Sequence, residues 1–263
     1  MKRLTFILVL VIAVVMLVSC TPMQPGETLT TEEPNEGRVV FTITDAAAEM
    51  GAVTSVMVTI NSVLVHSETG ETNWIMIESN SKTFDLLKLK AEGSQELLVD
   101  ATLEEGTYQQ LRLDIGKVIV VDDKGEHEAK LPSGELKIVG DLEVKANSTS
   151  TATFDFIADE SLHVTGNGEY ILAPVVQLET QTDAEVEVKA DQKVEIKAGK
   201  VKTNVKVGMD ADGNVGVGLG IPAKANISIG QGKVKVEGGL GLGKDDDDEN
   251  TTASAKVKVG VSY

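Results

Sequence analysis

The chain of 263 residues holds a single cysteine, Cys20, so it forms no intrachain disulfide and no thiolate metal cluster. Its three histidines, His66, His127 and His163, stand at spacings that match no zinc site. Aromatic residues make up 3% of the sequence, so a core has to be assembled from Val, Ile and Leu. No long stretch carries the 3.6-residue apolar period of an amphipathic helix. Neither G-x-S-x-G, H-E-x-x-H nor a Gly-rich phosphate loop is present. The chain therefore reads as a non-enzyme, with no catalytic residue, no metal ligand and no cofactor expected. Basic residues are scarce in one region only. Residues 21–180 carry 10 Lys and Arg against 28 Asp and Glu, a balance of −18, whereas 181–263 carry 12 Lys against 13 acids, a balance of −1. A segment so acidic is repelled by phosphate backbones and anionic head groups, which excludes nucleic acid as a partner.

What is present begins at the N-terminus. Lys2 and Arg3 precede an apolar run from Leu4 to Val18, broken only by Thr5. A charged lead before roughly 7–15 apolar residues is the build of an export signal. The run falls short of the about 20 residues with which a helix spans roughly 30 Å of hydrocarbon. Leu17-Val18-Ser19-Cys20 resembles the lipobox of lipoprotein signal peptides. That resemblance implies removal of residues 1–19 and attachment of a diacylglycerol to the Cys20 thiol, making membrane lipid a partner; a plain signal peptide or an uncleaved anchor is the alternative. Residues 20–36, rich in Thr, Pro, Glu and Gln, read as a disordered tether. The expected location is a cell membrane or outer membrane, lipid-anchored and facing away from the cytoplasm.

From Gly37 onward valine alternates with Lys, Glu or Thr, the period of half-buried strands. The strand candidates are 38–44, 53–66, 73–77, 82–87, 96–103, 107–121, 136–139, 141–145, 149–156 and 170–178. The alternation changes face between Ile60 and Val63, which predicts a bulge near Asn61-Ser62. Leu86-Leu87 to Leu89 fits a helical turn equally well. Turn chemistry separates the runs: Glu104-Glu105-Gly106, Asp122-Asp123-Lys124-Gly125, Pro132-Ser133-Gly134 and Gly166-Asn167-Gly168. Asp45 is placed to cap a turn. Gly106-Thr107-Tyr108 reads as a turn feeding a corner tyrosine whose hydroxyl satisfies nearby backbone. Pro174 interrupts an apolar run and marks an edge or a bulge. Short strands with frequent turns predict an all-β fold, an antiparallel β-sandwich over 37–180.

Several of these pieces, taken in order, carry a resemblance. They are Ile43-Thr44-Asp45-Ala46, Phe84-Asp85-Leu86-Leu87-Lys88-Leu89, Gly106-Thr107-Tyr108-Gln109-Gln110-Leu111-Arg112-Leu113, Pro132-Ser133-Gly134, Phe154-Asp155-Phe156 through Ser161, and Tyr170-Ile171-Leu172-Ala173-Pro174-Val175-Val176. Together they resemble the DUF4382 domain, found mostly in exported bacterial and archaeal lipoproteins. The family's Asp-Ala-Pro near the first turn is Asp45-Ala46-Ala47 here. The resemblance implies a prealbumin-like or immunoglobulin-like sandwich and no established activity.

Residues 181–263 read as a low-complexity amphipathic β region, a small meander following the sandwich, with runs at 185–189, 194–197, 201–209, 215–221, 226–229, 234–237 and 255–263. Val201, Thr203, Val205, Val207 and Met209 share one face, and Asp212-Gly213 is a hairpin turn. A poorly folding tail is the alternative, because small residues bury little area. Asp210-Ala211-Asp212-Gly213-Asn214 resembles the opening of a calcium loop, yet the pattern's Gly and Glu positions hold Val215 and Ile221. Asp245 to Glu249 is an acidic run that reads as a solvated loop. Asn147, Asn226 and Asn250 stand in N-x-[ST] sequons and are glycan acceptors only in a glycosylating host.

The expected function is a membrane-anchored envelope lipoprotein with a non-catalytic binding or structural β module, its partners an envelope protein or a glycan. Alternatives are an assembly scaffold built through the C-terminal β region, a carbohydrate-binding surface protein and a hydrolase. Trp74 and Tyr108 are the rings on which a sugar would stack.

Overall fold

The computed structural model describes residues 35–46, 50–67, 74–78, 80–222, 225–231 and 233–237. The expected signal peptide with Cys20, most of the tether, Asn250, the acidic run and the run 255–263 lie outside the described residues. No helix among the described residues is long and apolar enough to cross a membrane.

The chain is all-β, as its valine alternation predicts. In order it forms β1 (Glu36–Asp45), β2 (Ser55–Ser67), β3 (Trp74–Glu78), β4 (Lys82–Asp85), helix α1 (Leu86–Glu92), β5 (Gln95–Glu104) and β6 (Gly106–Asp122). Then follow β7 (Gly125–Glu128), β8 (Glu135–Val144), β9 (Thr149–Phe156), the one-turn α2 (Ala158–Ser161), β10 (Leu162–Val164) and β11 (Tyr170–Leu172). Last come β12 (Val175–Val188), β13 (Lys193–Met209), β14 (Val215–Gly216), β15 (Asn226–Gly230) and β16 (Lys233–Glu237).

One sheet runs β3-β2-β6-β7, with β4 also on β2 and β8 also on β6. The other runs β12-β9-β1-β5-β13-β14, and β12 pairs with β13 as well. Within it β1 and β9 lie parallel, whereas the other pairings are antiparallel. A single apolar cluster draws from both sheets: Val39, Phe41, Ile43, Phe154 and Leu178 from one, Val58, Val65, Leu111, Leu113 and Ile138 from the other. The period-2 pattern explains the choice, since Phe41 and Ile43 point to the partner sheet and Thr42 and Thr44 to the opposite face.

Local chemistry sets the boundaries. The register slips between Ile60 and Ser62, where the face change predicts a bulge. After β4 the Asp85 carboxylate accepts from Lys88 N at 3.4 Å, and Gly93 closes α1 with φ 57°, so Leu86 to Glu92 winds as a helix with Leu86 and Leu89 buried. Glu135–Val144 is one strand, although Gly140 splits it in the sequence pattern. The run 170–178 breaks at Ala173-Pro174 into β11 and β12, because proline cannot donate to the ladder. Asp45 Oδ1 caps the first turn of α2, accepting from Ala158 N at 3.1 Å.

Two differences concern the C-terminal region. The composition changes at residue 180, but β12 runs unbroken through that point, and β13 joins the first domain's sheet instead of a separate meander. Cross-strand hydrogen bonding at Thr180-Gln181 continues because β9 offers it a free edge, whatever the residue types. Among the described residues β15 and β16 form a small separate sheet resting on Ile171, Ala173, Met209 and Ile221, and β10 and β11 form another two-stranded sheet.

Candidate functional site: a polar cavity inside a circuit of strands

The pairing β12-β9-β1-β5-β13 returns to β12, so five strands close a circuit. The closure is made where Lys193 and Val194 of β13 meet Glu96 and Gln95 of β5. Register stacks polar residues on the face away from the apolar cluster. Thr42, Thr153, Glu179 and Asn204 form one row across β1, β9, β12 and β13, and Thr44, Asp155, Gln177 and Lys206 form the next.

A cavity of about 520 Å³ opens there, with all five strands contributing to its lining. Its walls are hydrogen-bonding side chains rather than apolar ones. The Thr42 hydroxyl lies 3.1 Å from Gln95 Oε1 and 2.9 Å from Thr153 Oγ1. Asn204 donates to Glu179 Oε2 at 2.9 Å, Gln181 donates to Glu179 Oε1 at 2.6 Å, and Gln177 donates to Asn204 Oδ1. Glu179 is thereby satisfied at both oxygens. Asp155 differs: its Oδ1 is shielded from solvent and has no hydrogen-bond partner. Burial pushes its carboxyl above the ordinary range, against the opposing pull of the Ala46 backbone N–H. Thr151 Oγ1, four residues earlier on β9 and fully buried, has no partner either. Gly199, at the cavity edge, admits Gln181, whose Oε1 would lie 2.1 Å from any Cβ there.

A second polar cluster is a clamp rather than a cavity. Asp122, its side chain 7% exposed, accepts from Lys124 N and Gly125 N through Oδ1, which also lies 2.9 Å from His127 Nε2. Its Oδ2 accepts from the Tyr170 hydroxyl at 2.8 Å. The Tyr170 bond, more than the others, holds the carboxyl down at about 2, while burial and then Asp122 push the phenol up to about 12. The cluster ties the β6–β7 hairpin to β11. No sequence motif announced it, since Asp122 and Tyr170 stand 48 residues apart.

The residues singled out from sequence are dispersed. The Tyr108 hydroxyl donates to Glu104 O at 3.0 Å and the ring is buried, as the corner reading predicts. Trp74 is half-buried, with Arg112 Cζ 4.1 Å from its ring centroid and His66 edge-on at 5.1 Å. The buried Tyr108 ring offers no stacking face for a sugar, and Arg112 covers one face of Trp74. His163 borders a further cavity, yet its Nε2 is shielded and unpartnered, and burial lowers its pKa. Asp210 takes a turn role: Oδ1 accepts from Asp212 N and Asn214 N, and Gly213 has φ 85°. Asn147 and Asn226 are exposed. Among the described residues no group of three or more His, Cys, Asp or Glu is placed to hold a metal ion.

Fold and site together define an all-β protein with a polar, strand-enclosed cavity. The family described as a domain of unknown function, DUF4382, matches residues 36–174, more than half of the chain, and the chain belongs to it. No curated protein and no solved structure gives a match. Strands β12 and β13, which close the circuit, follow the matched segment.

Proposed function

We propose that the chain is a lipid-anchored cell-envelope protein whose folded part is a non-catalytic binding module acting through the cavity among β1, β5, β9, β12 and β13. Anchoring rests on Leu17-Val18-Ser19-Cys20 after its apolar run. Binding rests on one observation: five strands aim polar side chains, among them Gln95, Thr153, Gln177 and Asn204, into one open space. Mouths of closed strand circuits are common ligand sites, and about 300–1,000 Å³ is the usual size.

Intact mass of the mature protein from detergent-extracted membranes tests the first half. Cleavage before Cys20 plus one diacylglycerol, lost in Cys20→Ala, is the expected result; an unmodified chain released in soluble form overturns anchoring. The second half is tested with Ala198→Trp, which fills the cavity from an exposed position. Backbone hydrogen exchange of β9 and β12 is read against a panel of small molecules. Protection in the unaltered protein that is absent from the variant supports binding, and a panel with no effect on either counts against it.

A second reading, an assembly scaffold, is favoured by β15–β16, a two-stranded sheet to which no third strand pairs among the described residues. Removal of residues 225–263 would then change oligomeric state, and an unchanged state sinks this reading.

A further inference from the structure

The chemistry of the cavity wall narrows what it can hold, taking as given that it is a binding site. An ionic ligand needs a free opposite charge. The cation at the cavity, Lys197, is paired with Glu187. Both oxygens of Glu179 accept amide hydrogens from Gln181 and Asn204, and burial disfavours the charged form of Asp155, the other carboxylate in the lining. An apolar ligand needs an apolar wall, and Ile196 is the one large aliphatic side chain in the lining, with no aromatic ring beside it. What remains is a set of amides and hydroxyls on Thr44, Gln95, Thr153, Gln177, Gln181 and Asn204, groups that both donate and accept.

We propose that this cavity binds a neutral polyhydroxylated molecule, a sugar or polyol, by hydrogen bonds from the rows Thr153–Glu179–Asn204 and Asp155–Gln177, without ring stacking. Hydroxyls match such a wall because each can donate to one amide and accept from the next. The site has this character because three neighbouring strands set polar residues in register on one face, while the opposite face of the same strands carries Phe154 and Leu178 into the apolar cluster.

Calorimetric titration of the whole folded protein with D-glucose, xylitol, N-acetylglucosamine, D-glucuronate, inorganic phosphate and spermidine tests the proposal. Binding of a neutral probe, weakened about three- to tenfold per deleted hydrogen bond in Thr153→Val and Gln177→Leu, is the expected result. Unchanged urea midpoints in both variants separate lost contacts from lost fold. Maltotriose binding more tightly than glucose assigns the site to a glycan chain; equal affinity assigns it to a free sugar, and either supports the class. Binding of glucuronate, phosphate or spermidine in preference to neutral probes overturns the class but leaves the cavity a binding site. Binding that both variants retain in full places the ligand elsewhere. Absence of any binding, with β9 and β12 exchange also unaltered, removes the binding reading itself.

Discussion

The family-matched segment and the β12–β13 hairpin that completes its sheet are held in place by different forces. Within the matched segment Phe41, Phe154, Phe156, Leu111 and Ile138 are among the largest fully buried side chains. The hairpin reaches the same cluster only near its base, through Val176, Leu178 and Val207. Beyond Thr180 its register slips repeatedly, and apolar residues such as Val201 turn to solvent. Along its length the hairpin is tied down by lysines. Lys193 meets Glu92 at 3.0 Å, Lys206 meets Glu160 at 2.7 Å, Lys202 meets Glu143, and Asp183 receives Lys145 and Lys200, each at 3.0 Å. The uneven charge of the sequence thus has a structural use. At Glu92, Glu143 and Glu160, acids of the −18 segment face lysines of the nearly neutral one. Exposed pairs of this kind contribute little stability each, so they fix the course of the hairpin more than they strengthen the fold. Lysines along β13 also discourage further strands from adding to its edge, which pairs β5 only at Lys193 and Val194 and β14 only at Gly208 and Met209.

If this division is right, damage should scale with the force removed. Phe154→Ala, in the shared cluster, should cost about 3–5 kcal/mol in urea unfolding. A loss below about 1 kcal/mol would mean that the two sheets do not share one core. Thr180→Val sits at the hinge between the regimes. Its buried hydroxyl donates to Asp141 O at 2.6 Å and accepts from Thr203 N at 3.1 Å. Removing it leaves Thr203 N without this acceptor and Asp141 O with the Thr203 hydroxyl as its remaining partner, about 1–3 kcal/mol by the same measurement.

Tyr170→Phe acts through pH. The folded pKa of Asp122, about 2, lies below its ordinary 3.8, so the native state holds that proton less readily than the unfolded chain. Its contribution is complete above 3.8 and fades as pH falls towards 2. The variant lacks the largest cause of the shift and should be less stable near neutrality, with the gap to the unaltered protein closing across that acid window. A gap that stays constant with pH would show that the tyrosine acts by packing alone. The smallest effect belongs to Lys206→Ala, below about 1 kcal/mol and erased near 1 M salt, where the screening length is about 3 Å. A salt-insensitive loss would assign the contribution to the lysine's aliphatic stem.

Much of this organisation was legible in the order of residues. Val39-Val40-Phe41-Thr42-Ile43-Thr44 reads directly as a strand with one apolar face, and β9 spans the predicted 149–156. The corner at Tyr108 and the turn at Asp212-Gly213 follow from local chemistry, because their partners lie within about a turn's length of chain. Gly125–Glu128 and Leu162–Val164 went unread as strands, since three or four residues carry no measurable period. The candidate cavity was not legible at all. Thr42, Thr153, Glu179 and Asn204 read in the sequence as ordinary polar-face residues of four separate strands, and nothing in any one strand marks them.

The sequence by itself determined the all-β class, the turns and the face each strand turns to the core, because these follow from alternation and from φ preferences acting over a few residues. Tertiary structure alone decided that β12 crosses the change in composition and that β13 returns to β5. It also decided that five polar faces meet around one space. Strand pairing joins backbone groups far apart in the chain and is nearly indifferent to side-chain identity, so the closure of the circuit is set by the packing of the whole fold.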